Sequence, residues 1–199
     1  NFNVSVQVPD DFMLAVQKDD DWPLCFPEAG GEEALQRMWT GRDEPVRCRV
    51  RGRIPARELW RHIMTAAWES AEPGVLFTDA VNRENNLHYR ERITATNPCG
   101  EIPLPPYGAC NLGSLNLTRF VRDAFGRDAA LDVDALREAV PRAVRFLDDV
   151  IDASGFPLAA QQEQAQGTRR VGLGITGLGD ALAMLDIAYD SDEGRACAS

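Results

Sequence analysis

Between Asn97 and Cys110 the chain reads Asn-Pro-Cys-Gly-Glu-Ile-Pro-Leu-Pro-Pro-Tyr-Gly-Ala-Cys. Prolines at 98, 103, 105 and 106 and glycines at 100 and 108 rule out a regular helix and remove donors from any sheet ladder. The segment is therefore predicted to be an ordered loop with few alternative conformations. It sets Cys99 between Asn97 and Glu101, two residues away on either side, with Cys110 eleven residues downstream. A rigid loop of this kind suits chemistry that needs fixed geometry.

The side chains suggest what that chemistry is. Cys99 can serve as a nucleophile, a hydrogen-atom donor or a redox thiol, Glu101 as a general base, and Asn97 as an orienter of substrate hydroxyls. A Cys-His hydrolase is weakly supported, because the only histidines are His62, within an amphipathic helical pattern, and His88, in a polar stretch. Neither has C-x-x-C or H-x-x-H spacing to Cys25 or Cys48, so no metal site is expected.

Alternation of hydrophobic patterns places the loop in a larger frame. Phe2, Val4, Val6 and Val8 give a period-two strand ending at Pro9, with Asp10 or Asp11 capping a short helix through Val16. Residues 21–53 read as a hairpin-like excursion. It has β-like pieces around Trp22 and Val46–Val50, separated by Gly30-Gly31 and a helical turn near Glu33–Met38. From Arg57 the set Trp60, Ile63, Met64, Ala67 and Trp68 recurs at helical spacing, with both tryptophans assigned to the core, until Glu72-Pro73-Gly74. A strand at Val75–Phe77 and a polar connection at Asn82–Asn86 follow. Beyond the loop come a strand at Ala109–Leu117 and a helix at Val133–Ala153, with Leu136, Val140, Val144, Leu147 and Ile151 on one face. Pro141 is expected to kink or break it. Gln161–Gly167 reads as a polar connector and Gly177–Leu185 as a helix. This order predicts an α/β fold with parallel strands.

Two motifs invite other readings. Gly172-Leu-Gly174-Ile-Thr-Gly177 matches G-x-G-x-x-G, but the preceding Gln161–Arg170 is too polar for the buried strand of a dinucleotide site. Close backbone packing at a helix start is favoured instead. Arg169-Arg170 could meet a phosphate, although a packing or solvated role is favoured.

Thr96-Asn97-Pro98-Cys99-Gly100-Glu101, continued by Pro103-Leu104-Pro105-Pro106-Tyr107-Gly108-Ala109-Cys110-Asn111-Leu112-Gly113-Ser114-Leu115-Asn116-Leu117, closely resembles the active-site finger loop of ribonucleotide reductases, specifically the adenosylcobalamin-dependent class. Asn1-Phe2-Asn3-Val4-Ser5-Val6 with Asp11-Phe12-Met13, the Asp21-Trp22 turn, Pro73-Gly74-Val75-Leu76-Phe77, and Arg169-Arg170-Val171-Gly172-Leu173-Gly174 with Gly177-Leu178 extend the resemblance over nearly the whole chain, most weakly at 25–52 and 122–140. The resemblance implies part of a ten-stranded α/β barrel spanning 1–199, with the finger loop at about 94–110 in its centre. It implies that Cys99 becomes the thiyl radical that takes hydrogen from C3′, that Glu101 accepts the 3′-hydroxyl proton, and that Asn97 holds the ribose hydroxyls. The substrate would lie along Asn97, Pro98, Cys99, Gly100 and Glu101. Cys110 matches one of two redox cysteines that supply reducing equivalents. Ile102 departs from the polar residue frequent in cobalamin-dependent relatives. The short bridge between Cys99 and Cys110 favours that class over the iron-dependent one, where the insertion tends to be longer.

The implied cofactor is adenosylcobalamin, and the implied partners are a ribonucleotide, a thioredoxin- or glutaredoxin-type reductant, and a second copy in a homodimer. Two alternatives stand beside this reading: a class I large subunit using a metal-generated radical, and a noncatalytic barrel piece acting as an assembly module. Cys25, Cys48 and Cys197 do not match the redox partner of Cys110, so the chain reads as a piece of a longer protein, inactive in isolation.

Composition is compatible with this reading. The 199 residues, 44% hydrophobic, suffice for one sizeable core, and 31 acidic against 21 basic residues give a net charge of -10, which argues against nucleic acid or an anionic membrane as partner. Neither a signal peptide nor a transmembrane run is visible, and five cysteines without paired spacing suit a reducing compartment, so the cytoplasm is expected.

Overall fold

The computed structural model describes residues 3–28, 33–39, 42 and 44–199. Phe2 and Gly30-Gly31 lie outside them. The chain divides into two compact units, 1–106 and 107–199.

The first unit opens with β1 (Ser5–Gln7), α1 (Asp10–Lys18), β2 (Asp21–Pro27), β3 (Ala34–Arg37), β4 (Val46–Pro55) and α2 (Ala56–Ser70). It continues with β5 (Gly74–Leu76), α3 (Thr78–Arg83), β6 (Ala95–Thr96) and β7 (Pro103–Leu104). The predicted first strand forms and runs parallel to β5 in the register Ser5↔Gly74, Val6↔Val75 and Gln7↔Leu76. Its inward residues, with one face of α1 and α2, build the core: Val8, Phe12 and Ala56 are buried, and Trp22, Leu59, Trp60 and Val75 pack around them. Phe12 meets Trp22 edge-on at 5.2 Å between ring centroids. Burying the Phe12 side chain contributes about 1.5–3 kcal/mol.

Several expectations need correction here. Neither Asp10 nor Asp11 caps α1. The cap position is Pro9, and the Asp10 N–H is satisfied from outside the helix by Asp79 Oδ2 at 2.9 Å. Asp21-Trp22 opens β2 and is not a turn. The predicted helical turn at Glu33–Met38 is instead β3, paired antiparallel with β4 from Ala34↔Arg49 to Arg37↔Val46 in a three-stranded sheet ordered β2-β4-β3. The long edge of β4 overrides the helical preference of Ala-Leu-Gln-Arg. Trp68 is 89% exposed. It sits five residues past the buried Ile63, about 140° further around the helix, on a different face. Part of the predicted polar connection at Asn82–Asn86 belongs to α3.

The second unit contains β8 (Asn111–Asn116), a 3₁₀ turn at Leu117–Phe120, β9 (Val121–Arg122), β10 (Ala130–Leu131) and α4 (Val133–Ala153). These are followed by α5 (Ala159–Thr168), β11 (Val171–Thr176), α6 (Leu178–Met184) and α7 (Asp192–Ala198). β8 and β11 are parallel, from Val171↔Asn111 to Thr176↔Asn116. The helix α4 packs on this pair through buried Leu147 and Ile151, while Val140 and Val144 of the predicted apolar face stay exposed. Gly113 admits it, since a Cβ there would stand 3.3 Å from Leu147 Cδ2.

Pro141 neither breaks α4 nor divides it into two helices. Pro141 and Arg137, whose carbonyl loses its partner, are both exposed, so water can satisfy the freed group. The polar stretch 161–167 is α5 and not a connector. Alanine and glutamine favour helix without an apolar stripe, and only Ala165 is buried. The glycine motif at 172–177 also differs from expectation, since most of it forms β11, with only Gly177 at a helix start. Close packing does hold: a Cβ on Gly172 would stand 2.7 Å from Leu112 Cδ2.

Parallel pairs therefore coexist with antiparallel sheets in a mixed α/β fold. The described strands form five small sheets and no closed barrel.

Candidate functional site

Cys99 lies at the tip of the hairpin that joins β6 to β7. Asn97 opens a four-residue turn closed by the Gly100 N–H donating to Asn97 O at 3.0 Å. Pro98 takes the second position, where its fixed φ suits a turn, and Gly100 adopts φ 87°, a conformation that disfavours side chains. A second ring of bonds braces the base: the Asn97 N–H donates to Ile102 O at 3.2 Å, and the Ile102 N–H donates to Asn97 Oδ1 at 3.0 Å. Asn97 thus spends its side-chain oxygen on the loop, leaving its Nδ2 hydrogens as donors for a ligand oxygen. Cys99, Gly100 and Glu101 are exposed while Asn97 is half-buried. The structure brings Asn97, Pro98, Cys99, Gly100 and Glu101 together in this one turn.

Three tethers hold the incoming limb. Asn82 of α3 grips Ile93, accepting from its N–H at 2.8 Å and donating to its carbonyl at 3.0 Å. The Gln7 side chain of β1 donates to Thr94 O, and the Thr94 N–H donates to Leu104 O at 3.1 Å. Buried Pro105 fixes the outgoing limb. Asn82 and Gln7 carry no motif, so sequence reasoning had no signal for them. A cavity of about 520 Å³ in this unit is lined by residues including Trp22, Phe26, Arg37, Trp39 and Thr94, but by none of Asn97–Glu101.

Cys110 belongs to the second unit, immediately before β8. It is half-buried, and burial pushes its thiol pKa up, with the Arg170 charge acting in the opposite direction. The Asn111 N–H donates to Arg170 O at 3.2 Å, and Asn111 Nδ2 donates to Leu147 O at 3.2 Å, anchoring the strand start to β11 and α4. Arg169 has the favoured packing role: its guanidinium is held by Asp148 at 2.7 Å and by Asp152 at 2.9 and 3.0 Å.

The other candidates stand apart from this chemistry. His62 is exposed and pairs with Glu58 at 3.5 Å, and exposed His88 lies near Asn85 O. Among the described residues no group of three His, Cys, Asp or Glu is placed to hold a metal ion. Cys48 is buried, which together with neighbouring Cys25 raises its thiol pKa. No helix among the described residues is long and apolar enough to cross a membrane.

A mixed α/β chain thus presents an exposed thiol and a carboxylate on one braced turn. The chain belongs to the ribonucleotide reductase family: the family model "Ribonucleotide reductase, barrel domain" matches residues 1–199. It is similar to the vitamin B12-dependent ribonucleoside-diphosphate reductases of Mycobacterium tuberculosis, at 44% identity, and Thermoplasma acidophilum, at 42% identity, each over 97% of this chain. It is 32% identical, over 96% of its length, to the ribonucleoside-diphosphate reductase subunit alpha of Chlamydia muridarum. It spans 25%, 22% and 19% of those relatives respectively.

Proposed function

We propose that the protein containing this chain reduces ribonucleotides to 2′-deoxyribonucleotides by a thiyl-radical mechanism with adenosylcobalamin as cofactor. The carrying observation is the turn itself, which exposes Cys99 and Glu101 together and keeps the Asn97 amide hydrogens for substrate. The relatives at 42% and 44% identity are named for vitamin B12, which supports the cobalamin class over a metal-generated radical.

Cys99 at the tip of the turn, outside the hydrogen-bonded ring of Asn97, Gly100 and Ile102, fits a cofactor that has to reach its sulfur. Bound adenosylcobalamin supplies the one-electron oxidation of Cys99. The Cys99 thiyl then takes a hydrogen atom from C3′, and Glu101 accepts the 3′-hydroxyl proton. Asn97 Nδ2 donates to the oxygen where charge develops. The 2′-hydroxyl leaves as water while Cys110 and a second thiol together supply two electrons and two protons and become a disulfide. Cys99 finally returns the hydrogen atom to C3′. An external dithiol of the thioredoxin or glutaredoxin type restores the pair. Residues 94–110 are thus the finger loop of a barrel piece spanning 1–199, in a cytoplasmic, homodimeric enzyme.

The test uses the full-length protein. Cys99→Ala is expected to abolish deoxynucleotide formation with the fold retained, because no neighbouring side chain can replace a hydrogen-atom abstractor. Cys110→Ser is expected to permit C3′ abstraction but end in release of free base. Deoxynucleotide formation by folded Cys99→Ala, or normal multiple turnover by Cys110→Ser with thioredoxin, contradicts the assignment.

A further inference from the structure

Arg170 stands on the rung immediately before the first pair of β11 and β8. The register Val171↔Asn111 continues backwards through the bond from Asn111 N–H to Arg170 O, so Arg170 is the cross-strand neighbour of Cys110. Side chains alternate along a strand, which puts Arg170, Cys110, Gly172 and Leu112 on one face. Two contacts agree: a Cβ on Gly172 would stand 2.7 Å from Leu112 Cδ2 and 4.0 Å from Cys110 Sγ. The opposite face, with Asn111 and Gly113, meets α4.

Among the described residues β11 and α4 pack most closely against β8. On α4 the acids Asp148 and Asp152 are both engaged by Arg169, which also takes the left-handed φ of 47° that ends α5. Arg169 therefore fixes the backbone from which Arg170 departs. The Arg170 charge lowers the Cys110 thiol pKa, against the larger effect of burial, which raises it.

We propose that Arg170 is a positioning residue for Cys110, stabilising its sulfur as a thiolate when the oxidised thiol pair is reopened. This rests on the reductase reading above. In that step an attacking thiolate of an external dithiol bonds to the sulfur disulfide-linked to Cys110, the disulfide breaks, and Cys110 leaves as a thiolate that later takes a proton. The second thiol of the reductant resolves the mixed disulfide. A better-stabilised leaving thiolate makes this step faster.

The experiment compares wild type, Arg170→Gln and Arg170→Lys in the reduced full-length protein. Alkylation of each cysteine by iodoacetamide is followed against pH by peptide mass spectrometry, with Cys99 as internal reference. Arg170→Gln is expected to move the Cys110 profile to higher pH and to slow its alkylation severalfold at pH 8. The loss of thiolate outweighs the gain in intrinsic nucleophilicity, whose dependence on pKa has a coefficient of about 0.4–0.5. Arg170→Lys is expected to restore most of the rate, and Cys99 to keep its wild-type profile in both variants. An unchanged Cys110 profile in Arg170→Gln overturns the proposal, as does an equal loss at Cys99 and Cys110, which would mean general loosening of the fold. Alkylation needs neither substrate nor turnover, so its result stands whether or not the protein reduces nucleotides.

Discussion

Asn82→Ala should release the limb that carries the Cys99 turn. One side-chain amide makes three bonds: Nδ2 donates to Thr78 O at 2.8 Å and to Ile93 O at 3.0 Å, and Oδ1 accepts from the Ile93 N–H at 2.8 Å. Towards Ile93 the amide acts as a strand partner would, satisfying both backbone groups of a residue that is only 5% exposed. At a net value of about 1 kcal/mol per bond the loss of the two bonds to Ile93 costs about 2 kcal/mol, since the buried Ile93 groups are left without partners. That corresponds to roughly 30-fold in the local opening equilibrium. Hydrogen exchange of the 92–96 peptide in the full-length protein reads this directly, with peptides from α2 as reference. Asn82→Asp sharpens the comparison, because it keeps the acceptor for Ile93 N–H but sets a carboxylate oxygen against the two carbonyls. It should open the segment as well. Wild-type exchange at 92–96 in a folded Asn82→Ala protein would refute the claim that this amide holds the turn.

Two further perturbations test the second unit. Gly177→Ala should destabilise it by about 2–3 kcal/mol, combining about 1–2 for a side chain at left-handed φ with about 1 for a disturbed cap. The residue has φ 70°, and its Cβ would stand 2.6 Å from Asn116 Oδ1, which holds Thr118; an unchanged urea midpoint for the second unit would contradict this. Hydrogen bonds from Arg169 lower the pKa values of Asp148 and Asp152, so both carboxyls stay ionised further into acid in the folded state than in the unfolded one. Their stabilisation is therefore present above the ordinary carboxylate range and is lost as pH falls through the folded values. Combined Asp148→Asn and Asp152→Asn should flatten the fall of melting temperature between neutral pH and pH 3, and identical acid slopes in the two proteins would reject this.

What could be read from the sequence was what acts over short range. Pro98 and Gly100 impose a turn wherever the chain goes, so the presentation of Cys99 beside Asn97 and Glu101 follows from six consecutive letters. The apolar spacing of α1, α2 and α4 likewise marks these helices, because each periodic pattern needs only some surface to face. Long-range pairing decided the rest. The segment Ala34–Arg37 becomes a strand because β4 offers it an edge, and Val171–Thr176 because β8 does. Trp68 is left exposed because the packing direction of α2 was set by Ala56 and Ile63. The partners of Asn82, Gln7 and Arg169 lie eleven to eighty-seven residues away and for the same reason leave no local signature in the chain. The exposed turn and its residues are thus a property of local backbone stereochemistry. What tethers the turn, and which charge acts on the Cys110 thiol, exist only once distant segments have packed together.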